Sequence, residues 1–252
     1  MTPETLEELR RIARAAGVLA MQHYGAAEEI VYKDDRSPLT AADRAAHDAI
    51  VPALEEMTPD IPVISEEGRL PPYEERRDWR RFWLVDPLDG TREFLHQNGE
   101  FTVNIALIEN GEPVLGVVYA PAILVEYSAG RGLGSWKREP GGEAVRLTGP
   151  AAPGPDGAIV VESRSHPSKE LEDFLKTIKV ARRVQAGSSL KFGVVAEGAA
   201  HLYPRFGPTH DWDVAAGDCV WRNAAVSGQR PSSIVYNSPA LLNPGFVIGV
   251  MP

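Results

Sequence analysis

The chain has 252 residues, with 35 acidic side chains against 26 Lys and Arg, a formal net charge of −9, and 43% hydrophobic residues. That length supports a sizeable core in one large domain or two close lobes, and the acidic balance disfavours a nucleic-acid polymer as partner while leaving room for a small anion held by a local cation. The single cysteine, Cys219, rules out an intrachain disulfide, and no run approaches ~18 consecutive apolar residues.

No transmembrane segment is therefore expected. The N-terminus, MTPETLEELRRIARAAG, lacks the basic start and apolar run of a secretory signal. A reducing, cytoplasmic setting is the expectation, with attachment to the inner face of the plasma membrane left open.

In chain order, Leu6, Leu9, Ile12, Ala16, Leu19 and Tyr24 recur at three- and four-residue spacing, which predicts an amphipathic helix over 4–24, stopped by Gly25. A second helix is expected from Thr40, where TAAD has the form of a capping box, with Ala46, Ile50 and Leu54 facing inward. Pro52 should kink or shorten it. Extended runs follow at 61–65 and 82–86, the second halting at Asp86-Pro87; the polar stretch 69–81 between them reads as a surface loop or short helix. Residues 101–109 and 113–120 flank Asn110-Gly111, a pair that accepts the positive φ angles of a tight hairpin. Residues 127–137 suggest another strand pair.

The Gly-, Pro- and Ala-rich stretch 139–157 reads in part as a connection, dividing the chain into lobes 1–140 and 141–252. Beyond it come an expected strand at 158–162, helices at 169–178 and 190–197, a strand near 201–203 and a late helix over 212–225. The sum is a mixed α and β fold.

Four acidic elements carry the chemistry. WLVDPLDGT, residues 83–91, delivers Asp86 at the end of an apolar run, and Pro87 and Gly90 turn the chain so that Asp86, Asp89 and the Leu88 carbonyl can converge. Hard divalent cations take such oxygen sets. The others are Glu66 in SEEG, Asp43 in LTAAD and Asp213 in WDVAAG. Each has a plainer reading: a turn, a solvated loop, a charge at a helix start, an N-cap.

Taken together and in this order, LTAAD, SEEG, WLVDPLDGT and WDVAAG resemble the magnesium-dependent, lithium-sensitive phosphatases of the inositol monophosphatase superfamily. The likeness spans nearly the whole chain. Within it, DPLDGTREF, SRSH, GSSLKF, LYPRFGPT and LNPGF look like the branch of 3′(2′),5′-bisphosphate nucleotidases.

The resemblance implies a layered α/β/α/β/α sandwich and two or three Mg2+ ions. Glu66, Asp86 and the Leu88 carbonyl would hold the first ion; Asp86, Asp89 and Asp213 would hold the second; Glu66 would reach a third through water. Asp43 and Thr91 would orient and deprotonate the attacking water, and the Gly90 and Thr91 amides would hold phosphate oxygens. Ser163 and His166 would contact the nucleoside, while Gly187, Lys191 and Arg205 would hold the ligand further along the groove.

The substrate so implied is a small nucleotide, adenosine 3′,5′-bisphosphate, with the sulfated analogue as a further one, cleared in sulfur assimilation. Inositol 1-phosphate or broad phosphomonoester hydrolysis is the alternative within enzymes, and a non-catalytic nucleotide-binding module the alternative outside them. Oligomeric state is open.

Overall fold

The computed structural model describes residues 2–26, 31–32, 38–164, 168–225 and 232–252. In the first half, helix α1 (Pro3–Gln22) precedes strands β1 (Val31–Tyr32) and β2 (Pro38–Leu39) and helix α2 (Ala41–Met57). Then come β3 (Val63–Ser65), α3 (Tyr73–Arg76), β4 (Arg81–Asp89), α4 (Thr91–Leu95), β5 (Thr102–Glu109), β6 (Glu112–Ala120), β7 (Val125–Gly130), β8 (Gly134–Arg138) and β9 (Val145–Arg146). The second half holds β10 (Ala158–Ser163), α5 (Lys169–Leu175), β11 (Val180–Ala186), α6 (Leu190–Ala196), β12 (Leu202–Arg205), β13 (Thr209–His210), α7 (Asp211–Asn223), β14 (Leu242–Asn243) and β15 (Phe246–Gly249).

Strands β3 to β9 form a seven-stranded sheet in chain order, antiparallel except for β3 beside β4. Alternation along β4 sends Trp83 and Val85 to one face and Phe82 and Leu84 to the other. The first face buries Leu9, Ile12 and Ala16 of α1 with Ile50 and Leu54 of α2. The second packs on Phe192 and Val195 of α6 and on Val214, Ala215 and Trp221 of α7. A four-stranded sheet, ordered β11-β10-β12-β15, covers the far side of those helices through Val161, Tyr203 and Ile248. Leu171 and Leu175 of α5 close its outer face. The layers therefore run α/β/α/β/α, as the resemblance implied. Among the described residues no helix is long and apolar enough to cross a membrane.

Small residues set the spacing between sheet and helix. A methyl group on Gly116 would lie 2.7 Å from Cys219 Cβ and 2.8 Å from the Ala216 carbonyl oxygen, so β6 and α7 meet backbone to backbone. Gly116→Ala should therefore destabilise the protein by about 1–3 kcal/mol through overpacking. The check is a lower urea midpoint with an unchanged slope.

Several expectations need correction. Pro52 does not shorten α2, which continues to Met57; the buried stripe of Ala46, Ile50 and Leu54 outweighs the one lost hydrogen bond. The 82–86 run does not halt at Asp86-Pro87 but continues to Asp89. Val145 and Arg146 within the expected connection form the edge strand of the large sheet, with Leu147 buried behind them. The helix expected over 169–178 ends at Leu175. The Asn110-Gly111 hairpin forms as expected, with φ of 52 and 78°.

Candidate active site

The irregularity in β4 is what brings its two aspartates together. Asp86 pairs with Asn104 and Asp89 with Thr102, so three steps on β4 face two on β5. Residues three apart on a regular strand point to opposite faces; the extra residue of the bulge returns Asp89 to the Asp86 side. Asp86 Oδ1 accepts the Leu88 amide at 3.0 Å, which fixes the bulge. Gly90 then takes φ 89°, where a side chain would be strained, and starts α4 at Thr91.

Opposite this bulge stand Glu66, at the end of β3, and Asp213, in the first turn of α7. Carboxylate oxygens of Glu66, Asp86 and Asp213 all lie within 4.8 Å of one another. Burial pushes the Asp86 carboxyl well above the carboxylate range, and Glu66, Asp89 and Asp213 push it further. Asp213 is raised by burial and then by Asp89 and Glu66, against a 2.9 Å hydrogen bond from the His210 amide. Asp89 is raised to about 6, chiefly by burial, with Lys191 and an Asn104 hydrogen bond opposing. Such crowding is relieved by protonation or by a cation, and an all-oxygen donor set suits a hard divalent ion.

Asp43 is buried at the start of α2, where Thr40 donates to its Oδ2 from its amide at 2.8 Å and its hydroxyl at 2.6 Å. Burial raises its carboxyl to about 6, with Glu67 and Glu66 adding to the effect. Ala42 packs with Leu88, Phe94 and Phe101, so the start of α2 abuts the bulge and α4.

A cleft of about 300 Å³ is lined by Asp89, Gly90, Thr91, Ser163, Lys191, Arg205 and Asp213. A second recess, lined among others by Glu66, Asp86 and Leu88, shares Asp89, Gly90, Thr91 and Asp213 with it. Sequence-predicted residues from both halves of the chain thus line two recesses that share Asp89, Gly90, Thr91 and Asp213.

Gly187 lines neither recess. It stands behind Ser188, and its amide donates to Glu100 Oε2 at 2.8 Å. His166 lies outside the described residues. Lys191 is not solvated: it is 5% exposed, with its ammonium bonded to the Ser188 and Ala186 carbonyls and set over the Tyr203 ring. Burial lowers it to about 8, Asp89 opposing and Arg205 adding. Arg205 has its Nε buried without a hydrogen-bond partner among the described residues.

Asn104 escaped the sequence reading. It is fully buried and donates to Asp89 Oδ2 at 3.3 Å and to Ser189 Oγ at 3.1 Å, tying the bulge to the start of α6. A lone amide inside the apolar run TVNIALI was the signal, because a buried amide requires partners.

The chain matches the inositol monophosphatase family over residues 2–228. It belongs to that family. The 3′(2′),5′-bisphosphate nucleotidase CysQ of Escherichia coli is 48% identical to it over 250 residues, covering 97% of this chain and 99% of that protein. The CysQ nucleotidase of Salmonella typhimurium is 49% identical, with the same coverage of each chain. Among solved structures, CysQ from Bacteroides thetaiotaomicron superposes with a TM-score of 0.82 at 39% identity, covering 99% of this chain and 98% of that one. The Thermotoga maritima inositol monophosphatase TM1415 gives 0.76 at 25% identity, covering 98% and 92%.

Proposed function

We propose that this protein is a magnesium-dependent 3′(2′),5′-bisphosphate nucleotidase that hydrolyses the 3′-phosphate of adenosine 3′,5′-bisphosphate to AMP and phosphate. One observation carries the reading: Asp89, Gly90, Thr91 and Asp213 line both the recess that holds Glu66 and Asp86 and the cleft that holds Lys191 and Arg205. A simple phosphate ester needs only the first; a bisphosphate uses both. The names of the similar nucleotidases support the same choice.

Under this reading an N-terminal lobe that takes in β9, past the expected boundary at 140, meets the C-terminal lobe at the cleft, and Glu66, Asp86, the Leu88 carbonyl, Asp89 and Asp213 would hold two or three Mg2+ ions. When bound, Mg2+ supplies charge neutralisation, polarisation of the phosphate and acidification of water. The Gly90 and Thr91 amides orient the 3′-phosphate. Thr91 Oγ1 would orient the attacking water and pass its proton to Asp43, a buried carboxylate that Thr40 holds through Oδ2. The water oxygen bonds to phosphorus in line as the bond to the 3′-oxygen breaks, and that oxygen takes a proton from solvent. No phosphoenzyme is required. Cys219, the sole thiol, is buried and its pKa is held far up by that burial.

Ser163 and, by the family resemblance, His166 contact the nucleoside, and Lys191 and Arg205 receive the 5′-phosphate. A guanidinium with an unmatched buried Nε suits that anion. The decisive assay compares kcat/KM for adenosine 3′,5′-bisphosphate, 3′-AMP and inositol 1-phosphate, with and without Mg2+. The bisphosphate should lead by tenfold or more; preference for the inositol ester would overturn the proposal. Arg205→Ala should raise KM for the bisphosphate by about tenfold to a hundredfold, the worth of a charged hydrogen bond. The same change should leave KM for 3′-AMP, which lacks the 5′-phosphate, within about twofold.

A further inference from the structure

Asp211 lies two residues before Asp213, yet the two side chains face different partners. Asp211 is fully buried and none of its hydrogen bonds goes to the carboxylate cluster. Its Oδ2 accepts the Asn237 amide at 2.7 Å and its Oδ1 accepts Asn243 Nδ2 at 2.9 Å, while its own amide donates to the Leu241 carbonyl at 2.9 Å.

The same 237–243 segment is gripped from the other side by Arg76, 3% exposed in α3. Its Nη1 donates to Asn237 Oδ1 at 2.7 Å and the Ser238 carbonyl at 2.9 Å, and its Nη2 to the Pro239 carbonyl at 2.7 Å. Asn237 Nδ2 returns a bond to the Arg76 carbonyl at 2.7 Å. The buried Arg76 charge offsets that of Asp211.

This network joins α3, in the segment that follows Glu66, to the first turn of α7, which carries Asp213. Helix α3 ends the short stretch that begins at Glu66; Asp211 begins the helix that presents Asp213. Left alone, the mutual repulsion of the carboxylates would drive Glu66 and Asp213 apart, because they belong to separate chain segments. We propose that Arg76 and Asp211, bridged by Asn237, are positioning residues that hold Glu66 and Asp213 at ligand spacing before a divalent ion arrives. The inference rests on the metal reading of the cluster given above.

The test is Mn2+ binding to the substrate-free full chain, followed by electron paramagnetic resonance, alongside kcat, KM and the Mg2+ half-saturation. Asp211→Asn removes the charge that balances Arg76. Asn237→Gly is the milder variant: Asn237 has φ 64°, which glycine adopts freely, so the backbone is spared while the side-chain bridge to Arg76 is lost. Both variants should weaken Mn2+ binding and raise the Mg2+ half-saturation about tenfold, with KM for the bisphosphate at saturating Mg2+ within about twofold and kcat largely recovered there. Should Asp211→Asn fail to fold, Asn237→Gly decides. Folded Asn237→Gly protein that binds Mn2+ within twofold of the parent overturns the positioning role. A parent chain that binds no Mn2+ defeats the metal reading itself.

Discussion

Asp213→Asn is expected to lower kcat by about a thousandfold or more while making the metal-free protein more stable. The two effects share a cause. Asp213 sits among Asp89, Glu66 and Asp86, and burial together with their charges holds its carboxyl far above the usual range. An amide of the same shape relieves that repulsion and can keep the 2.9 Å hydrogen bond from the His210 amide. It cannot supply the negative oxygen that a divalent ion needs. Losing several kcal/mol of transition-state charge stabilisation corresponds to a loss of about a thousandfold or more in rate. Asp89→Asn should lose turnover alike. Steady-state assays, with thermal melts in EDTA and in Mg2+, check both parts: unchanged turnover in both variants discredits the site, and a lower melting temperature for Asp213→Asn in EDTA discredits the repulsion argument.

The metal-free protein should also lose stability as pH rises, the reverse of the usual acid sensitivity. Asp43 and Asp89 are raised from 3.8 to about 6 in the folded chain, and Asp86 and Asp213 are raised as well. A carboxyl that holds its proton more tightly when folded contributes stability fully present below its unfolded pKa, near 4, and loses it as pH climbs through the folded value, near 6. For Asp43 alone the change is about 3 kcal/mol. Melts in EDTA should therefore fall between pH 4 and pH 7. Saturating Mg2+, which favours the ionised carboxylates, should flatten or invert that trend. A melting temperature in EDTA that rises across this window would contradict the account.

Much of the fold was legible because local signals agreed with tertiary demand. The α1 stripe, the Asn110-Gly111 hairpin and the apolar run at 82–86 each point one way. Strand β11 was missed because VARRVQA is an exposed, charged edge strand, whose polar character guards the sheet edge rather than marking a buried face. Strands β13 and β14 are two residues each and exist only by pairing with one another, which no local pattern announces.

At the site, residue types and order exposed Asp86, Asp89 and Asp213, but the device that unites the first two was misjudged. A turn was expected at Pro87, and the chain uses a bulge within a continuing strand. Asn104, the Arg76–Asp211 network and the buried cage around Lys191 depend on long-range contacts that sequence spacing does not encode.

The most direct measurement is anomalous diffraction from crystals of the wild-type chain soaked in Mn2+, with activity assayed in the same ion. Strong peaks are expected within coordination distance of Glu66, Asp86 and Asp213 and beside Asp89. An active Mn2+ enzyme whose only anomalous peaks lie away from these carboxylates would contradict the account.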